Sequence, residues 1–261
     1  MSQAGPEVLI KSVIQVIPTY AMGCFKMPLG LCHEIETIIK KFWWEQRGEK
    51  RKIHWLKWEE LTKSKLEGGM GFRDIAMFND SLLAKQAWKL LKNPDSLLHK
   101  VFKACFFPNC TFMEAKCLSS GSHAWRSILH GREVLLRGCQ WRIGNGKAVS
   151  IWQDHWLLRK NMPQVQSHRV DTMADAKVEI LINGDTRQWD HCLFSPQEAE
   201  LIKSIPLSRC AAEDTLFWPF TSNRAYTNKS GYRFLKAETH AEWDEDQMVH
   251  DKVLWRTISS L

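Results

Sequence analysis

The 261-residue chain is 44% hydrophobic and 25% charged, ordinary values for a folded protein, and its length allows one or two domains with their own cores, which argues against wholesale disorder. No apolar run approaches ~18 residues, so a membrane-spanning helix is not expected. The net charge of +7 is uneven: residues 1–160 hold 25 lysines and arginines against 14 acids, and residues 161–261 hold 11 against 15, so contact with a polyanion is expected from the first half.

The N-terminal stretch "MSQAGPEVLIKSVIQVIP" is partly apolar, but Lys11 interrupts it and no small-residue cleavage site follows. It reads as an amphipathic helix ending at Pro18, with Leu9, Val13 and Val16 on one side, rather than as a signal peptide. The first arginine is Arg47, which argues against an Arg-rich transit peptide. The chain therefore reads as intracellular, with nucleus, cytoplasm and mitochondrion all open. Pro28 opens a helix from Leu29 to about Trp44, with Ile35, Ile38, Ile39 and Phe42 on one face. Trp55, Trp58 and Leu61/Thr62 fit another short helix. Gly68-Gly69-Met70-Gly71 reads as a turn, because glycine permits positive φ. Asp74 is a plausible N-cap for a long helix through Leu91 that buries Ile75, Phe78, Leu82, Leu83, Ala87 and Leu90. Asn93-Pro94 reads as the start of the next helix, to Phe106, with Leu97, Leu98, Val101 and Phe102 apolar. Ser122 caps a further helix that ends before Gly138.

Beyond that the period changes. "CQWRI", Gly144-Asn145-Gly146 and "AVSIWQDHW" read as strand, tight turn, strand. Ser195-Pro196-Gln197-Glu198 is a capping box with proline at the first helical position, for a helix that stops before Pro206. "TLFWPF" and "RAYTN" flank Thr221-Ser222-Asn223 as a second hairpin, followed by a helix from about Ser230. Residues 158–172 are the best linker candidate. The fold class expected is α+β: a helical domain over 1–135, and a smaller mixed region with β-hairpins and short helices over 136–261.

Most candidate chemistries fail on spacing. Eight cysteines without a C-x-x-C suit a reduced compartment. Cys105, Cys110, Cys117 and His123 spell C-x4-C-x6-C-x5-H, loose for a tetrahedral zinc, and Cys105 falls beside Phe102 and Phe106 on the apolar face of a helix, so core packing is the preferred reading over a metal site. Two-metal polymerases place neighbouring aspartates around the metals, and this sequence has no Asp-Asp dipeptide. Asp244-Glu245-Asp246 reads as a solvated charge run rather than part of a nuclease site. Gly144-Asn145-Gly146-Lys147 lacks the spacing of a P-loop and reads as a hairpin turn. No cofactor, metal site or catalytic residue is assigned. Trp88, Trp125 and Trp152 fall at core positions, whereas of the adjacent Trp43 and Trp44 one is expected to face solvent or a partner. That leaves the tryptophan-rich basic stretch, where Lys50, Arg51, Lys52, Trp55, Lys57 and Trp58 are the candidate nucleic-acid-binding residues: cations for phosphates, indoles for bases.

Four stretches carry a resemblance: "EVLIKSVIQVIPTYAMGCFKMP" (Glu7–Pro28), "FWWEQRGEKRKIHWLKWEELTKSKLEGGMGFRDIAMFNDSLLAKQAWKLL" (Phe42–Leu91), "WRIGNGKAVSIWQDHWL" (Trp141–Leu157) and "DTLFWPFTSNRAYTNKSGYRFL" near the C-terminus. Together they resemble the part of plant LINE-type (non-LTR) retrotransposon polyproteins just downstream of the reverse-transcriptase catalytic core. The resemblance implies a helical thumb that packs on the template–primer duplex, then a connector leading to a zinc-binding module, sometimes followed by an RNase H domain. It places the polymerase's catalytic residues upstream of Met1 and the start of the zinc module near "VLWRTISSL". Pro6 stands where the family usually has lysine, so Met1 reads as a start codon inside a decayed or truncated element. Two functions are expected from this: a non-catalytic reverse-transcriptase fragment with sequence-independent RNA or DNA binding, or an inert structural or protein-interaction remnant.

Overall fold

A computed structural model of the chain describes residues 4–44, 56–117, 121–157, 164–167, 175–183, 186, 188–189, 194–207 and 212–240. The fold is α+β, mostly helical with a small antiparallel sheet. The described residues divide into two compact units, those within 4–137 together with 227–240, and those within 138–226.

The first unit is helical. It contains α1 (Ala4–Leu9), α2 (Thr19–Met22), α3 (Leu29–Trp44), α4 (Trp58–Thr62), α5 (Ile75–Lys92), α6 (Leu97–Phe106), α7 (His123–Gly138) and α9 (Asn228–His240). Helix α5 is the axis. Asp74 caps it by accepting a hydrogen bond from Met77 N at 2.8 Å, and it buries Ile75, Leu82, Leu83, Ala87 and Leu90 as the sequence indicates, with Phe78 half-buried. It also buries Asn79 on its apolar face, and that amide is satisfied: Nδ2 donates to the carbonyls of Met22 (2.7 Å) and Phe25 (2.9 Å), and Oδ1 accepts from Met27 N (2.8 Å). One side chain thus fixes the turn between α2 and α3, a role for a buried polar group that is fully paired. Helix α7, capped by Ser122 Oγ on Trp125 N (3.2 Å), crosses α5 so closely that a Cβ on Gly131 would lie 2.3 Å from the Leu83 carbonyl carbon.

Several expectations are corrected here. The first helix continues into a π-helical turn, Ile10–Ile14, which shifts the inward face to Ile10 and Gln15 and leaves Leu9, Val13 and Val16 exposed. Helix α3 has the expected span, but its inner face is Cys32, Glu36 and Ile39, while Ile38 and Phe42 are exposed. Asn93 is the C-cap of α5, and Ser96 starts α6 by accepting from His99 N. Leu97, Leu98 and Val101 are exposed, and Cys105 is exposed rather than packed, because α6 is held through Phe102 and Phe106 against Trp125 instead. The Gly68–Gly71 turn forms, with Gly68 and Gly71 at positive φ. The last described helix, α9, belongs to this unit and not to a region 136–261: the Tyr232 hydroxyl accepts from Asp74 N (3.0 Å), and Lys236 Nζ donates to Thr62 O (3.0 Å).

The second unit holds β1 (Gln140–Arg142), a 3-10 turn at Val178–Leu181, α8 (Pro196–Lys203) and β2 (Thr215–Phe217). Its core gathers Ile143, Val149, Ile151, Trp156, Leu157, Val178, Leu181, Ile202 and Ile205. The first expected hairpin does not form. Strand β1 pairs with the distant β2 (Gln140 with Phe217, Arg142 with Thr215), and residues 149–151 bond to 176–178 instead. The reason is Asp214. Its carboxylate accepts from Gly144 N (2.7 Å), Gly146 N (2.9 Å) and Ala148 N (2.9 Å), closing the glycine loop onto the residue before β2. The second hairpin reduces to a turn, with Trp218 N donating to Arg224 O (3.1 Å). Ser195 caps α8, but Glu198 does not complete the box. It is buried and accepts from Gln166 N (2.7 Å), Ser167 N (3.1 Å) and the Ser167 hydroxyl. Residues 164–167 therefore pack rather than link, with Val165 in the core; the rest of the 158–172 candidate, apart from these four, lies outside the described residues.

Candidate nucleic-acid interface

The candidate stretch enters the described part of the chain at Lys57, the N-cap residue of α4. Its backbone is extended (φ −67°, ψ 161°) and its side chain is exposed. Lys50, Arg51, Lys52 and Trp55 lie outside the described residues. Trp58 is 4% exposed and belongs to the core with Leu61, Phe72 and Ile75. Its ring stacks on Phe72 (centroids 6.1 Å apart, 26° between planes), and Lys40 Nζ lies 5.6 Å from its centroid. No face of that indole is left for a base, which corrects the stacking role expected for Trp58. The spacing that places Trp58 and Leu61 on one helical face was itself the signal for burial. Trp43 and Trp44 are both half-buried, and Trp43 meets Phe72 edge-on at 5.4 Å. Trp88 and Trp125 are buried, and Trp152 is half-buried beside Phe194.

The cations around α4 are largely committed. Lys11 and Lys65 both reach Glu7, at 2.8 and 2.6 Å, and hold its carboxyl below the usual range through those hydrogen bonds. Lys63 pairs with Glu60 at 3.0 Å, Lys236 bonds Thr62 O, and Arg73 lies 4.5 Å from the Phe78 centroid. Among the described residues, Lys41 and Lys57 are exposed and take part in no ion pair. Among the described residues, part of the positive charge around α4 is thus neutralised by ion pairs.

Behind this surface lies a group that sequence reasoning missed. Glu36 is 6% exposed. Its Oε1 accepts from Ile75 N (3.1 Å), and its Oε2 lies 3.4 Å from His33 Nδ1. Burial pushes its carboxyl up; the Ile75 amide opposes this and nearby Asp74 adds to it. Glu36, Asp74 and Tyr232 thus occupy the N-terminus of α5 from three elements, and burial pushes the Tyr232 phenol up to about 12. An acid at the a/d-like spacing Cys32–Glu36–Ile39 was the available signal.

Cys105, Cys110 and Cys117 are exposed, and the His123 ring packs on Phe25 (5.4 Å). Among the described residues, no group of three or more His, Cys, Asp or Glu is placed to hold a metal ion. The Gly144–Lys147 loop is neither a hairpin turn nor an open phosphate cradle, since the Asp214 carboxylate takes the amides of Gly144, Gly146 and Ala148. No described helix is long and apolar enough to cross a membrane.

The geometry defines a two-unit α+β chain with a basic helical half. By sequence, the chain belongs to the family of the Arabidopsis thaliana "Uncharacterized mitochondrial protein AtMg00310", to which it is 42% identical over 143 residues, covering 54% of this chain and 93% of that protein. It is also similar to the Arabidopsis thaliana "Putative ribonuclease H protein At1g65750", 28% identical over 250 residues, covering 91% of this chain and 40% of that longer protein. No family model and no solved structure matches it significantly.

Proposed function

We propose that the chain is a non-catalytic piece of a LINE-type reverse-transcriptase polyprotein that retains sequence-independent affinity for RNA or DNA. The run Lys50, Arg51, Lys52, Lys57 carries the proposal: four cations in eight residues, leading into α4 through an exposed lysine. The match over 91% of this chain to a longer protein named for ribonuclease H supports a polyprotein origin. The missing Asp-Asp dipeptide supports the non-catalytic part. Phosphate contacts release counterions, so log K should fall against log salt by roughly 0.7 to 0.9 per contact. Binding of labelled single-stranded RNA and duplex DNA to the full chain, across a salt series, tests this. Changing the four cations to Ala should flatten the slope by up to about four contacts. No measurable binding at low salt overturns the proposal, and template-dependent primer extension with magnesium overturns its non-catalytic part. The burial of Trp58 favours a second reading, an inert or protein-binding remnant whose tryptophans are structural.

A further inference from the structure

The N-terminal helix turns its apolar stripe to solvent. Leu9 (45% exposed), Val13 (44%), Val16 (48%), Ile17 (75%) and Tyr20 (86%) lie on it, with Val8 (60%) and Phe25 (44%) at its rim. The exposed row runs on through the π turn and the tight turn after it, where Val16 N bonds Val13 O and Thr19 N bonds Val16 O, both at 3.0 Å. Leu9, Val13, Val16 and Tyr20 therefore follow one another at intervals of 4, 3 and 4 residues, the spacing of a helix–helix seam. Polar groups along the stripe are satisfied internally: Ser12 Oγ donates to Val8 O (2.6 Å), and Thr19 Oγ1 to Gln15 O (3.3 Å). Of the neighbouring cations, Lys11 and Lys65 both pair with Glu7. Contiguous exposed apolar patches of this kind mark association surfaces.

We propose that this stripe is the seam of a two-fold homodimer, the occupant being the same helix of a second copy of this chain. The 4-3-4 spacing is symmetric about its centre, so an antiparallel copy sets Leu9 against Tyr20 and Val13 against Val16, an isologous arrangement. The five stripe residues expose on the order of 600 Å² of surface, so pairing two copies removes at most roughly 1,200 Å² before the rim is counted, the size of a weak, reversible interface. None of the five stripe residues is charged, so a charged partner would find no complementary group on them, whereas a second copy presents the same apolar row.

The test is sedimentation equilibrium of the full chain over a concentration series up to about 100 μM, which populates a dimer whose Kd is below roughly that concentration. The expected result is a reversible monomer–dimer equilibrium. Val13→Asp with Val16→Asp should weaken it at least about tenfold, because two carboxylates would face each other across the seam. Both positions are exposed, so the thermal melt of the dilute monomer should not change, whereas Leu136→Asp, an exposed site on α7, should leave dimerisation intact. A monomer throughout the series overturns the proposal, as does a dimer that survives the double substitution. A monomer whose stripe instead binds lipid vesicles or an added polypeptide overturns it in favour of another occupant.

Discussion

Trp125 offers the sharpest test of how the first unit is held together. It is fully buried at the start of α7, and four rings surround it: Phe106 stacked at 5.0 Å and 4°, Phe107 at 5.6 Å and 16°, Phe102 at 5.8 Å and Phe112 at 6.1 Å. Its Nε1 is buried with no hydrogen-bond partner. Trp125→Ala removes the largest side chain of the cluster, and such truncations cost about 3–5 kcal/mol, with each ring pair worth about 0.5–1.5 more. These contributions overlap, so a loss near ~5 kcal/mol is expected, comparable to the whole stability of many domains. Trp125→Phe behaves differently. It keeps a ring among rings and deletes a donor whose unpaired burial costs about 1–3 kcal/mol, which offsets much of the lost volume. The phenylalanine variant should therefore fall within about 1.5 kcal/mol of the parent.

Urea unfolding followed by far-UV circular dichroism reads the difference, and hydrogen exchange locates it. Because α6 has no fully buried residue of its own, its amides should lose protection first in Trp125→Ala. If the phenylalanine variant loses as much as the alanine variant, the indole N–H has a partner and the offset is wrong. If alanine costs less than about 1 kcal/mol, α6 and α7 do not meet around this ring.

Two further outcomes follow from the same unit. Burial raises the folded pKa of Glu36 above its ordinary value of 4.5, so ionisation works against the fold: stability from this group is greatest at low pH, falls as pH rises through the folded pKa, and is level above it. Glu36→Gln keeps an acceptor for Ile75 N–H without the charge, so its advantage over the parent should widen from about pH 4.5 upward and then plateau, and a pH-independent difference in urea midpoints would refute this. Gly131→Ala should destabilise by at least about 2 kcal/mol, because its Cβ meets Leu83 backbone that cannot yield, whereas helix propensity alone gives a gain of up to about 1 kcal/mol. The sign of the melting-temperature change decides.

The helices were legible because local periodicity and caps determine them. Asp74, Ser122 and Ser195 each cap the helix assigned to them, and the α5 core face reads correctly at Ile75, Leu82, Leu83, Ala87 and Leu90, with Phe78 only half-buried. Which face of a short helix turns inward was not legible in α1 or α3, because a π turn or a single buried acid rotates the choice without altering the apolar count. The strands were misread for a different reason. A Gly-Asn-Gly between apolar runs has the form of a tight hairpin, yet Asp214, 68 residues beyond Gly146, gathers the loop amides and gives β1 a distant partner. Such a contact has no local signal. The binding stretch divides in the same way: its cations are plain in the sequence, but whether an indole stacks on a base or on Phe72 depends on what packs against it, and for Trp58 that is the core.

This division bears on the strength of any polyanion contact. The excess of positive charge in residues 1–160 is a count, and binding depends on the cations left without internal partners. Around α4, Lys11, Lys63 and Lys65 are already paired with carboxylates, and Lys40 sits over Trp58. Among the described residues near α4, Lys41 and Lys57 remain for a phosphate backbone, and Trp58 adds no stacking energy. Affinity built this way is nearly all counterion release: steep in salt, indifferent to base identity and weak at physiological ionic strength. A ligand preference for one base, or tight binding that persists in high salt, requires a stacking or hydrogen-bonding contribution that the buried Trp58 does not supply.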